Sequence, residues 1–148
     1  MRAISLWQPW ATALFDPNWK AHETRSWACH ANVIGQRVAI HAAAKAVAQN
    51  IVPDGVGNVL ADRYGRDWRS VLPRGAILGS VVITDCRPTN RLVDSAKPLH
   101  RLDEWFGDWS PGRFAWRVSD PFILAKPVPW KGKQGWFQVP DELFEAQP

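Results

Sequence analysis

A chain of 148 residues, 46% of them apolar, is long enough to bury a core without staples, so one domain over residues 1–148 is the default reading. Two cysteines are too few for a disulfide framework, no basic-then-apolar leader precedes Ser5, and no apolar run nears the ~18 residues that cross a bilayer, which together read as a cytoplasmic, reduced protein with no membrane partner. The net charge of +4 favours an anionic partner, and ten tryptophans offer flat faces that serve core packing and base stacking alike.

Ile4 to Leu6 has the makeup of a short buried strand. Gln8-Pro9-Trp10 then opens a helix, because proline suits a first helical turn, and Trp10, Ala13 and Leu14 recur at helical spacing. The turn cluster Asp16-Pro17-Asn18 ends it. Glu23 to Trp27 follows as an extended segment. Alternation there puts Glu23, Arg25 and Trp27 on one face and Thr24 and Ser26 on the other.

Arg37 to Ala42 alternates as a strand, with His41 on the face opposite Val38 and Ile40. The alanine-rich run Ala42 to Asn50 predicts a helix by propensity, and Val56 to Tyr64 predicts another. Ala76 to Asp85, with Val81, Val82 and Ile83, is the strongest strand signal in the chain. Arg87 to Gly112 loses its periodicity, is broken by Pro88, Pro98 and Pro111, and reads as a long excursion with a small helix near Leu102 to Phe106. Phe114 to Val118 is a strand that Phe122 to Ala125 continues or returns, and Trp136 to Val139 closes the chain as a last strand.

Lys20, Glu23 and Arg25 place a base, an acid and a base within six positions, ahead of Trp27. In a cleft, Arg25 would clamp a phosphate or base edge, Lys20 would supply a point charge, and Glu23 would hold either cation or accept from a base amino group. On an open surface the same residues would be an ion-pair cluster of small energetic worth. Trp10 and Trp27 are candidate stacking faces with core packing as the alternative, and the Gln8 turn is a candidate phosphate seat. His41 has the chemistry for proton transfer, and Lys45 follows it about one helical turn later. The loop Lys131-Gly132-Lys133-Gln134-Gly135 offers two cations and two glycines but lacks the full phosphate-loop pattern. The spacing of Cys29, His30, His22, His41 and Cys86 matches no standard zinc pattern, so neither a metal nor another cofactor is expected.

Four blocks in order, SLWQPW with Lys20-x-x-Glu23-x-Arg25, RVAIHAAAK, GAILGSVVITDC, and the pair GRFAWRV and PVPWKGKQGWFQV, resemble the ASCH family of the PUA-like superfamily. The resemblance spans Ser5 to Val139 and implies an α+β PUA-like small β-barrel with two or three surrounding helices. It also implies a cleft with Lys20, Glu23, Arg25 and the Lys131–Gly135 loop at its rim. Joined to the residues read above, this makes single-stranded RNA or a modified nucleoside the expected ligand, with Gln8, Trp10, Lys20, Glu23, Arg25, Trp27, Lys45, Lys131, Lys133 and Gln134 as ligand-binding residues. If the protein is an enzyme, Lys20, Glu23, Thr24 and His41 are the catalytic candidates, for RNA cleavage or for hydrolysis of N4-acetylcytidine. Similar amidohydrolases carry Lys-x-x-Thr-x-Arg, whereas this chain has Glu23 at the threonine position and Thr24 one residue later. A protein-interaction module with a basic face is the third reading, and the oligomeric state is left open.

Overall fold

The computed structural model describes residues 1–93 and 99–145. Its secondary structure begins with β1 (Arg2–Leu6), α1 (Trp10–Ala13), β2 (His22–Arg25) and β3 (Arg37–Ala42). The helices α2 (Asp54–Tyr64) and α3 (Trp68–Val71) follow, then β4 (Ala76–Pro88), α4 (Thr89–Val93), α5 (Arg101–Phe106), β5 (Phe114–Pro129) and β6 (Trp136–Gln138). The class is α+β. Six strands form one sheet in the order β2-β5-β4-β3-β1-β6, antiparallel throughout except for the β1–β3 pair.

The expected barrel is corrected to an open sheet, because no ladder joins the end strands β2 and β6. The outer edge of β2 is already occupied. One Asp103 oxygen accepts from the backbone N–H groups of Ala21 and His22, at 2.9 and 3.0 Å, and the Arg113 guanidinium donates to the Thr24 carbonyl at 3.2 Å. The two ends of the sheet meet through side chains instead. Trp116 of β5 stacks on Trp136 of β6 with ring centroids 5.7 Å apart, and Trp27 stands edge-on to Trp116 at 4.7 Å. The sheet is thus curled by an aromatic seam, and the core beneath it is built from Ile4, Leu6, Val38, Ile40, Val81 and Ile83.

β5 runs unbroken through Asp120-Pro121, so Phe122 to Ala125 continues the strand of Phe114 to Val118 instead of returning as a separate one. The register between Ser80–Phe122 and Val82–Ser119 shifts there, so β5 carries an extra residue opposite β4. Asp120 takes a positive φ of 48° in this bulge, which Arg37 clamps through both the Asp120 carbonyl and its carboxylate. A proline at such a bulge removes no needed ladder bond.

The helix expected over Ala42 to Asn50 is absent. Ala42 ends β3 and the following residues form a loop up to a short 3-10 turn at Gln49–Ile51. Propensity lost there because the run has no apolar stripe to bury: Ala44, Lys45, Ala46 and Ala48 are all exposed. By contrast α2 buries Val56 and Leu60 at i and i+4, opens on Pro53 and Asp54, and ends at Gly65. The small helix near Leu102 is present as α5, whereas α3 and α4 had no counterpart in the sequence reading. Pro98 lies outside the described residues. No helix of the described residues is long and apolar enough to cross a membrane.

A candidate ligand cleft beside strand β2

β2 is a half-turn of strand between a buried lysine and an aromatic. Asp16 ends the α1 region by accepting from the backbone of Trp19 and Lys20, and this delivers Lys20 into the interior. Lys20 is only 1% exposed. Its ammonium stands 3.2 Å from Glu23 Oε2 and donates to the Phe106 carbonyl at 3.2 Å. Glu23 Oε1 faces Arg25 Nη1 at 3.5 Å, so one carboxylate bridges the two cations. A lone ammonium this deep would cost several kcal/mol, roughly the scale of burying an unpaired ion, and the carboxylate offsets that cost. The Arg25 guanidinium lies over the rings of Trp27 and Trp116 at 5.5 and 6.0 Å, which holds its plane while leaving it partly exposed.

These charges form the floor of a cavity of about 450 Å³, within the size range of small-molecule sites. Its walls are Leu6, Trp7, Trp10, Ile51, Pro53, Trp105 and Phe106. Trp7 and Trp105 are 45% and 38% exposed, unusually bare for tryptophan, and present open aromatic faces at the rim. Trp105 packs so closely on Gly55 that a Cβ there would lie 2.6 Å from the indole, so α2 and α5 fix this ring together. Asp108 and Arg113 complete the lining, and three cations against two carboxylates leave the cavity positive by one charge. The Ser110 hydroxyl, donating to Asp108 at 2.6 Å, holds that carboxyl below its usual range, and Arg113 adds to the effect.

Of the residues singled out by sequence, the structure brings Trp10, Lys20, Glu23, Thr24 and Arg25 to this cavity. Thr24 is buried, and its hydroxyl accepts from the Asp108 N–H at 2.9 Å. Gln8 is not on the lining: its amide donates to the Pro73 carbonyl at 2.8 Å and its oxygen accepts from the Thr12 N–H, which pins α1 to the turn before β4. Trp27 lies in the aromatic seam. Lys45 is exposed on the loop after β3, and Lys131, Lys133 and Gln134 are exposed on the loop before β6.

His41 lies apart from the cavity. Its Nδ1 is 2.9 Å from the Ser5 hydroxyl and its Nε2 is 3.0 Å from the Trp130 carbonyl. A carbonyl only accepts, so Nε2 carries hydrogen, and in the neutral ring Nδ1 accepts from Ser5. Gly132 seals the ring from above: a Cβ at that position would stand 2.4 Å from His41 Cε1 and 2.6 Å from Ser5 Oγ. Burial pushes the His41 pKa below its ordinary value, against a smaller opposing effect of the Trp130 carbonyl.

Trp7, Trp105, Asp108 and Arg113 were missed by the sequence reading. Trp7 had a signal, since it alternates with the buried Leu6 at the end of β1. Trp105 had one too, since Asp103 and Phe106 take the inner face of α5. Asp108 and Arg113 had none, because their stretch has no periodicity. Among the described residues no cluster of three His, Cys, Asp or Glu side chains is placed to hold a metal.

The chain is similar in fold to the crystal structure of ASCH from Zymomonas mobilis, with a TM-score of 0.53 at 14% identity over 97% of this chain and 90% of that one. A tyrosine-to-phenylalanine mutant of that protein gives 0.52 at 13% identity, covering 97% and 93%, and a serine-to-alanine mutant gives 0.53 at 14%, covering 97% and 91%. At such identity the likeness is one of fold alone. Comparison with curated proteins found no significant match. The ASCH domain model, however, matches residues 4–117, most of the chain and all of the segment carrying Lys20, Glu23 and Arg25, and on that match the chain belongs to the ASCH domain family.

Proposed function

We propose that the cleft beside β2 binds single-stranded RNA or a modified nucleobase, the kind of ligand with which ASCH domains are linked. The observation that carries this reading is the buried Lys20 ammonium, joined to Arg25 through the Glu23 carboxylate, at the floor of an open cavity rimmed by exposed Trp7 and Trp105. A base would stack on the rim aromatics while Arg25 and the third hydrogen of the Lys20 ammonium meet its polar edge or a phosphate.

Fluorescence anisotropy with a labelled single-stranded oligoribonucleotide tests it. Affinity should fall with salt at a log-log slope of about −0.7 per phosphate contacted. Arg25→Ala should cost roughly 1.5 to 3 kcal/mol of binding, as a charge-assisted contact does, with Arg63→Ala and Arg101→Ala nearly silent. Equal losses at all three arginines would replace the cleft with diffuse charge.

N4-acetylcytidine hydrolysis is expected to be slow. Glu23 stands where similar amidohydrolases carry threonine and is held between two cations, and Thr24 receives the Asp108 N–H. Turnover followed by nucleoside chromatography, and abolished in Thr24→Ala, would overturn this expectation.

A further inference from the structure

A second, smaller cavity lies on the other face of β2. Strand register builds it. His22 of β2 is paired with Arg117 of β5, which is paired with Asp85 of β4, and the next row on the same face is Thr24, Ala115 and Arg87. Directly paired residues share a face, so the small Ala115 leaves a hollow among larger polar neighbours. Leu92 of α4 closes one side, and the hollow measures about 180 Å³.

The donors and acceptors of this hollow do not balance. Both carboxylates near it are committed: Asp85 accepts from Arg87 Nε at 2.6 Å and from the Cys86 N–H, and Asp103 accepts from two backbone N–H groups and from His22 Nδ1 at 2.6 Å. Arg117 makes no ion pair among the described residues, and the terminal nitrogens of Arg87 extend beyond the bond that its Nε makes. Asp103 engages Nδ1, which leaves Nε2 as the ring nitrogen that makes no hydrogen bond among the described residues, on a side chain that lines the hollow. The Trp109 ring, edge-on at 5.5 Å, keeps the imidazole from turning.

We propose that this hollow is a binding site for a phosphomonoester group, held by the guanidinium groups of Arg117 and Arg87 with His22 Nε2 as the third contact. The hollow is smaller than the ~300 Å³ at which small-molecule pockets begin, which suits one oxyanion group and excludes a base. Three groups from three strands match a tetrahedral group better than a planar carboxylate. A phosphomonoester presents three terminal oxygens and up to two charges to the two guanidinium groups, whereas a phosphodiester offers two oxygens and one charge. The site is independent of the cleft reading, since Glu23 and Arg25 belong to the opposite face of β2.

The test is titration of isotope-labelled full-length protein with inorganic phosphate and, at matched ionic strength, with chloride, followed by NMR at the His22 ring nitrogens and the Arg117 guanidinium. Phosphate is expected to move both sets of signals at a concentration at least tenfold below that of chloride, and Arg117→Gln, an exposed substitution, to raise the phosphate concentration needed at least tenfold. No response to phosphate, an equal response to chloride, or an unchanged Arg117→Gln overturns the proposal; should that variant not fold, the contrast of phosphate with chloride in the unaltered protein decides. Arg25→Ala should leave the phosphate response intact, so failure of the cleft and failure of this site are separately visible. Stronger binding of a 5′-phosphorylated than a 5′-hydroxyl tetranucleotide supports the proposal with an RNA end as the source, and equal binding of the two alongside a phosphate response supports it with free phosphate.

Discussion

Two regions of this molecule carry a similar side-chain inventory and do opposite things with it. Around β2, Lys20, Glu23 and Arg25 sit beneath an open cavity. Around the loop before β6, Ser5, His41 and the Lys131–Gly135 stretch combine a hydroxyl, an imidazole and two cations, but Gly132 lies directly on the imidazole and the lysines point into solvent. Buried charge beside empty space makes a binding site, whereas buried polarity beneath a tightly fitted backbone makes a latch. The difference yields predictions for each side.

The largest effect belongs to Lys20. Replacing it with methionine keeps the volume but leaves Glu23 with only the longer Arg25 contact, and removing one partner of a buried pair costs about 3 kcal/mol or more. Lys131→Met, on an exposed side chain, should stay within about 0.5 kcal/mol of the unaltered protein. Urea unfolding of both variants decides, and similar midpoints would dissolve the contrast between a structural charge in the cleft and solvated charges on the loop.

Gly132→Ala probes the latch. A methyl group 2.4 Å from a ring tethered at both nitrogens must displace the loop, at a cost of about 2 kcal/mol for overpacking. RNA affinity should not change. A loss of affinity without a loss of stability would move the binding surface from the cleft to the loop.

Most of the strands were legible because alternation and β-branching report burial directly: Arg37 to Ala42 and Ala76 to Asp85 each lie within observed strands. What composition could not report was competition between elements. The barrel fails to close because Asp103 and Arg113, from the least periodic part of the chain, occupy the edge that β6 would need. Trp27 was read by its spacing from Arg25, yet Trp116 and Trp136, about ninety and more residues away, claim its ring. The triad Lys20, Glu23 and Arg25 was visible as a pattern, but the depth of Lys20 depends on the Phe106 carbonyl, which no local pattern announces.

Trp105→Ala sharpens the comparison from the cleft side. Its inner face packs on Gly55, so some stability is lost with it, while the affinity of the folded variant for single-stranded RNA should fall by about 1 kcal/mol, the lower end for loss of one stacking partner. Anisotropy titration measures it. Unchanged affinity would restrict recognition to the charged floor and remove the rim aromatics from the proposed site.

The smallest effect is the response of the latch to acid. His41 has a folded pKa below its ordinary 6.5 because burial disfavours the charged ring, so between those two values the unfolded chain binds more protons than the folded one. Stability therefore rises with pH through that window: the contribution is fully present above the unfolded value and is lost as pH falls toward the folded one. The hydrogen bonds oppose this. A protonated ring would donate from Nδ1 to Ser5 and release the Ser5 hydroxyl to the Lys133 carbonyl, 3.2 Å away, so the charged form gains a bond that the neutral form lacks. Desolvation outweighs that gain, since burial is the largest influence on the ring and lowers its pKa. Unfolding free energies measured between about pH 7.5 and pH 5.5 should decline in the unaltered protein more steeply than in His41→Gln, which cannot take up the proton. Asp108, whose carboxyl titrates below its ordinary value, acts only at lower pH and does not enter this window. Parallel declines in the two proteins would show that the latch is as stable protonated as neutral, and that the Ser5 hydroxyl had switched to Lys133 at no net cost.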